Sequence, residues 1–150
     1  MSVKQRIKEL GIILPEPPRP VGLYVPLKVS DGLVFVSGML PVRDGELIAR
    51  GKVPSEVSLT LAQECARQIV LNLLALVEDA LGLDSISGCI RMNGYVASES
   101  DFYEQPKVLN AASELLNQVF GEGHTRVAIG VPVLPMNSPL EIDFILSLRK

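Results

Sequence analysis

Residues 140–148 (Leu-Glu-Ile-Asp-Phe-Ile-Leu-Ser-Leu) place an apolar side chain at every second position. Period-two alternation is the pattern of a β-strand with one face in a core, so this chain must build a sheet with a covered side. Leu140, Ile142, Phe144, Leu146 and Leu148 are expected on that side, and Glu141, Asp143, Ile145 and Ser147 on the other. Residues 124–133 read as a second strand, reached through a Pro135-Met-Asn-Ser-Pro139 turn. There Val127, Ile129, Val131 and Val133 form the expected core set, with Arg126, Ala128, Gly130 and Pro132 opposite. On this reading Arg126 and Glu141 share the second face across a floor of small residues. Two interpretations stand open: a carboxylate-binding cleft, or a solvated ion pair worth little.

The rest of the chain supplies what covers the sheet. Residues 58–81 change to a helical period, with Ala62, Cys65, Ile69, Leu73 and Val77 on one stripe. Thr60 with Gln63 fits a capping box there, and Gly82 fits the position after the helix. A second amphipathic helix follows Asp101–Glu104 and ends at Gly121. Strands are expected at 22–29, 33–37, 46–49 and 86–98, the last with Ile90, Met92 and Val96 inward. Tyr24 sits on the outer face of the first. Ser30-Asp31-Gly32 and Arg43-Asp44-Gly45 are hairpin turn signals. Ser2 and Gln5 fit a capping box of a short leading helix, and Pro15-Glu-Pro-Pro-Arg-Pro20 should run extended. The order is β-β-β-α-β-α-β-β, an α+β domain over residues 1–150 with 1–20 as an N-terminal arm. Its helices pack on one face of a single mixed sheet.

Composition narrows the function classes. Hydrophobic residues make up 47% of the 150 and charged ones 21%, yet no run reaches the roughly 18 apolar residues of a membrane span. The strand at 33–37 is apolar on both faces. That surplus is expected to lie between copies of the chain, in a closed ring. A net charge of −3, scattered basic residues and no Trp argue against nucleic acid as a partner. No apolar segment of signal-peptide type follows Met1, which predicts a cytoplasmic location. Cys65 and Cys89 have no metal-ligand spacing, and the chain's single His124 leaves no multi-His site. No metal or cofactor is expected.

The chemistry-bearing residues that remain are few. Arg126 offers a rigid fork suited to a carboxylate. Glu141 can orient a water as a general base. Tyr24 and Asn110 can donate or accept, and His124 shares strand parity with Arg126.

These residues carry a resemblance. Val34-Phe-Val-Ser-Gly38-Met-Leu-Pro41, and Arg126 followed by Leu134-Pro135 and Leu140-Glu141-Ile142, resemble the YjgF/Rid family of reactive intermediate deaminases, also called L-PSP endoribonucleases. The resemblance covers roughly residues 20–148, and the segment from Gln105 to Ser113 resembles a subgroup with a longer second helix. It implies a chorismate-mutase-like fold and a homotrimer with clefts between subunits. It further implies that Arg126 grips a substrate carboxylate and that Glu141 positions a water, with Tyr24, Gly38 and Asn110 beside them. The implied reaction is hydrolysis of 2-imino or enamine acids to 2-oxo acids and ammonia. Departures are Ala128, where many deaminases carry Cys, together with His124, Pro132 and the Pro-rich arm. Ala128 keeps a second reading open, a small-carboxylate binder or sensor without turnover. Net acidity weighs against an endoribonuclease.

Overall fold

The computed structural model describes residues 1–20, 22–121 and 123–150. In chain order the elements are α1 (Val3–Glu9), β1 (Leu27–Ser30), β2 (Leu33–Met39), β3 (Val42–Arg43), β4 (Glu46–Leu47), α2 (Leu59–Ala80), β5 (Ile86–Ala97), α3 (Gln105–Phe120), β6 (Thr125–Val131) and β7 (Leu140–Leu148). Five strands form a mixed sheet in the order β1-β2-β7-β5-β6. Only the β5–β6 pair is parallel, with α3 as its crossover. The expected α+β architecture is therefore present, with α2 and α3 on one face of the sheet.

The long strand β7 is central, paired antiparallel to β2 on one side and β5 on the other. Its alternation reads as expected, with Leu140, Ile142, Phe144 and Leu146 buried among α2 and α3 side chains. Gly94 on β5 marks how close α3 comes: a Cβ there would run into the Leu109 side chain. Burial of the two cysteines pushes their thiols up to about 12, so both behave as small hydrophobes.

Several local expectations are corrected. Strand pairing begins at Leu27, not Gly22; Pro26 has no N–H to give the ladder, and Ser37 instead reaches the Pro26 and Val25 carbonyls at 2.9 and 2.7 Å. Tyr24 thus lies in the irregular segment before β1, 49% exposed, rather than on a strand. The expected third strand at 46–49 is not in the main sheet. It closes on β3 as a separate hairpin through Asp44 and Gly45, both at positive φ. Arg43 ties this hairpin to α2 by donating to Gln68 Oε1 at 3.0 Å, while Gln68 bonds Asn72 and Asn72 bonds the Val42 carbonyl. A bulge between Cys89 and Arg91 turns Cys89 inward and leaves Ile90 46% exposed. The α2 N-cap is Ser58, which accepts from Leu61 N; Thr60 lies inside the helix. The Ser2–Gln5 capping box forms as expected.

Candidate active site

The open face of the sheet carries Glu141. Register pairs it with Tyr95 on β5, and Asp143 with Asn93. A row of side-chain bonds runs beside it: Arg91 Nε donates to Asn93 Oδ1 at 2.9 Å, Asn93 Nδ2 to Asp143 Oδ1 at 2.7 Å, and Tyr95 Oη to Asp143 Oδ2 at 3.1 Å. Each member is locked by the next, which fixes a polar pattern on an otherwise apolar surface. Burial, and then the charge of Asp143, push the Glu141 carboxyl above its usual range. Burial and the same acidic neighbours raise the Tyr95 phenol. Among the described residues no side-chain hydrogen bond or ion pair occupies the Glu141 carboxylate. Gly38, at the irregularity of β2, faces it so closely that a Cβ would stand 2.5 Å from Glu141 Oε2. Any side chain at position 38 would have to displace the carboxylate.

Arg126 lies elsewhere. It is on the edge strand β6, in register with Met92 of β5, which is fully buried under the helices. Its side chain runs along α3: Nη1 donates to Ser113 Oγ at 3.0 Å and Nη2 to the Pro106 carbonyl at 3.4 Å. Ser113 Oγ also shares a proton with His124 Nε2 at 2.9 Å. Burial, then the Arg126 charge, hold the imidazole below its usual pKa, so it is neutral at pH 7. His124 Nδ1 is buried without a partner among the described residues. Asn110 is exposed on α3, four residues after Pro106 and three before Ser113, on the helix face along which Arg126 lies. Two of the five Arg126 N–H groups are engaged among the described residues, leaving three for a ligand.

The expected shared face of Arg126 and Glu141 is therefore corrected: they leave opposite faces of the sheet. Strand β6 points Arg126 and Ala128 at α3 and turns Val127 and Ile129 to the open side, 37% and 45% exposed. The reason is register. Met92 of β5, the strand between β6 and β7, is the partner of both Arg126 and Phe144. Arg126 therefore shares the helix face with Phe144, while Glu141, three residues from Phe144, leaves the other face. Glu141 and Arg126 sit three register steps apart on strands two spacings apart, about 10 Å along the sheet and about 9.5 Å across it. Within one chain they cannot hold the same small molecule. The structure brings together Arg126, His124 and Asn110 in one group and Glu141 with Gly38 in another. Ser113, Tyr95 and Asp143 belong to these groups and were not singled out by sequence. The only available signal was the parity of Asp143 with Glu141, and of Tyr95 with Asn93. Among the described residues no group of three or more His, Cys, Asp or Glu is gathered to hold a metal ion, and no helix is long and apolar enough to cross a membrane.

A family model described as "YjgF/chorismate mutase-like, putative endoribonuclease" matches residues 4–147. The chain belongs to the YjgF/Rid family. Among its relatives, protein TCP17 of Trypanosoma cruzi is 35% identical over 98% of this chain and 94% of that protein. A solved structure of a protein of unknown function from Agrobacterium tumefaciens is 40% identical, with a TM-score of 0.87 over 98% of this chain and 92% of that one. TdcF of E. coli, solved with bound serine, is 27% identical with a TM-score of 0.66, over 90% of this chain and 94% of that one. The family carries the chorismate-mutase-like fold seen here.

Proposed function

We propose that this protein hydrolyses reactive 2-imino or enamine acids in clefts that copies of the chain complete together as a homotrimer. The observation that carries the reading is Glu141: a half-buried carboxylate, unpaired among the described residues and faced by Gly38, whose carboxyl is raised above its ordinary range by burial and by Asp143. That is the state a general base needs. Arg126 supplies the complementary part, a guanidinium oriented by α3 with donors to spare. Because the two leave opposite faces, Arg126 of one copy would meet Glu141 of another. The substrate carboxylate binds Arg126, and a water held by Glu141 adds to the imine carbon. Glu141 takes the water's proton and returns it to nitrogen, giving the carbinolamine. It then passes the carbinolamine's hydroxyl proton to the amine as the C–N bond breaks, forming the 2-oxo group and releasing ammonia. One water is consumed, and one 2-oxo acid and one ammonia are formed. Gly38 leaves backbone open beside Glu141, Asn110 lines the Arg126 side, and half-exposed Tyr24 reaches the mouth from a neighbouring copy. An electrophilic imine requires little beyond positioning and one acid–base group, so no metal or cofactor enters.

A second reading, binding of a small carboxylate without turnover, is favoured by the serine held in TdcF and by Ala128 in place of a thiol. The acidic pair Glu141 and Asp143 weighs against RNA, whose phosphates they would repel. Glu141→Gln separates the first two. An amino-acid oxidase generates the 2-imino acid in place, and semicarbazide traps what survives. A deaminase loses roughly 10²–10⁴-fold in rate on Glu141→Gln while keeping its affinity for 2-oxobutyrate. Wild-type protein that never accelerates ammonia release, across several amino-acid precursors, leaves the binding reading standing.

A further inference from the structure

We propose that Ser113 and His124 are positioning residues: the Ser113 hydroxyl, anchored by His124, sets the Arg126 guanidinium in the pose that receives a substrate carboxylate. The inference rests on the carboxylate-binding reading of Arg126 and adds what makes that reading work. An arginine side chain has many rotamers, and a ligand that must first order it binds more weakly. Here the ordering is done beforehand. A serine hydroxyl has one proton and two lone pairs. Oγ accepts from Arg126 Nη1 at 3.0 Å and lies 2.9 Å from His124 Nε2. In either tautomer of the ring, Oγ keeps a lone pair for Arg126 Nη1, so His124 anchors the hydroxyl without competing for that bond. Neutral imidazole suits this role, whereas a protonated ring would set a second cation beside Arg126. The Pro106 carbonyl takes Nη2 from the other end of the same helix face. The guanidinium is thus clamped at two points of α3, with three of its five N–H groups unengaged among the described residues. His124 acts through Ser113 and not by touching the ligand.

The test is a set of variants read by titration calorimetry with 2-oxobutyrate and, where turnover is seen, by the split between KM and kcat. Ser113→Ala should weaken 2-oxobutyrate by roughly 5–50-fold and raise KM with kcat kept, the signature of lost binding common to ground and transition states. Ser113→Thr, which keeps the hydroxyl, should restore most of the loss. His124→Phe, which keeps the ring packing but not the acceptor, should cost roughly 3–10-fold, less than Ser113→Ala because the serine stays. His124→Gln should recover part of that. Since His124 is the only histidine, its imidazole ¹⁵N resonances are unambiguous, and they should shift on adding 2-oxobutyrate. Wild-type affinity in Ser113→Ala, with affinity lost in Arg126→Ala, overturns this inference alone; the cluster then merely fastens α3 to β6. Should Ser113→Ala fail to fold, Ser113→Cys is the nearly isosteric variant on which the same comparison is made. Unchanged affinity in Arg126→Ala brings down the carboxylate reading itself, a separate result.

Discussion

Strand β2 shows the two faces of the sheet side by side. Val34 and Val36 are 0% and 5% exposed beneath the helices, while Phe35 between them is 43% exposed on the open side. Across the sheet the contrast repeats, with Met92 and Phe144 sealed and Val127 and Ile129 half in water. Both faces are apolar, but only one is completed by the chain itself. The open face also carries the locked row Arg91–Asn93–Asp143–Tyr95 next to Glu141. A disordered sticky surface would have no such fixed polar pattern. The contrast separates two surfaces: the helix face closes the fold, and the open face carries Glu141 and its polar row on apolar ground that the chain itself leaves uncovered. An exposed apolar surface with ordered polar groups is what an interface between copies requires.

The largest effect should come from the finished face. Phe144→Ala removes a side chain that is 1% exposed between β7 and the helices. It should cost about 3–5 kcal/mol in urea unfolding, the usual toll of a buried phenylalanine with its residual cavity. Phe35→Ala, measured at concentrations where the chain is monomeric, should cost less than about 1 kcal/mol, since its ring is already half solvated. Equal losses would mean that the two faces are not different in kind.

A smaller effect on folding, but a decisive one on assembly, is expected from Ile129→Asp. The substitution places a charge on the open face without touching the helices. Far-UV circular dichroism should be unchanged. Light scattering should fall from the mass of a trimer toward the 16.3 kDa of one chain, and imine hydrolysis should fall with it. A wild-type protein already at 16.3 kDa would remove the shared cleft and with it the pairing of Arg126 and Glu141.

This contrast also explains which parts of the molecule could be read from sequence. Helices α2 and α3 and strand β7 were legible because each has one apolar set and one polar set, so the period alone decides what is inside. Strand β6 was not. Its alternation correctly grouped Val127 with Ile129 and Arg126 with Ala128, but a period says which residues share a face, not which face is covered. Where one side of the sheet is left uncovered by the chain, the larger apolar set can face outward, as Val127 and Ile129 do here. The insertion of β5 between β6 and β7 is a long-range pairing that no local pattern encodes. Ile90 is misplaced by a one-residue bulge between Cys89 and Arg91, which reverses parity; Gly88 just before it is the local signal of that irregularity. Within the candidate site, Arg126 and Glu141 stood out by type and spacing. Ser113 did not, because a serine on an amphipathic helix is unremarkable until the fold brings β6 beside it.

The smallest effect is electrostatic and belongs to Glu141. Burial and the Asp143 charge raise its carboxyl above the 4.5 of an exposed glutamate. The folded chain therefore binds a proton more tightly there than the unfolded chain does. Its contribution to stability is fully present below pH 4.5 and is lost as pH rises through the folded-state pKa. At pH 7 the ionised carboxylate works against the fold of a single copy. Glu141→Gln, measured at concentrations where the chain is monomeric so that assembly does not intrude, should then raise the urea midpoint at pH 7. The advantage should shrink as pH falls and vanish once both folded and unfolded carboxyls are protonated. A gain that stays constant with pH would come from packing of the amide. No gain at any pH would place Glu141 among ordinary surface carboxylates, and the open face would lose the strained group that distinguishes it from the finished one.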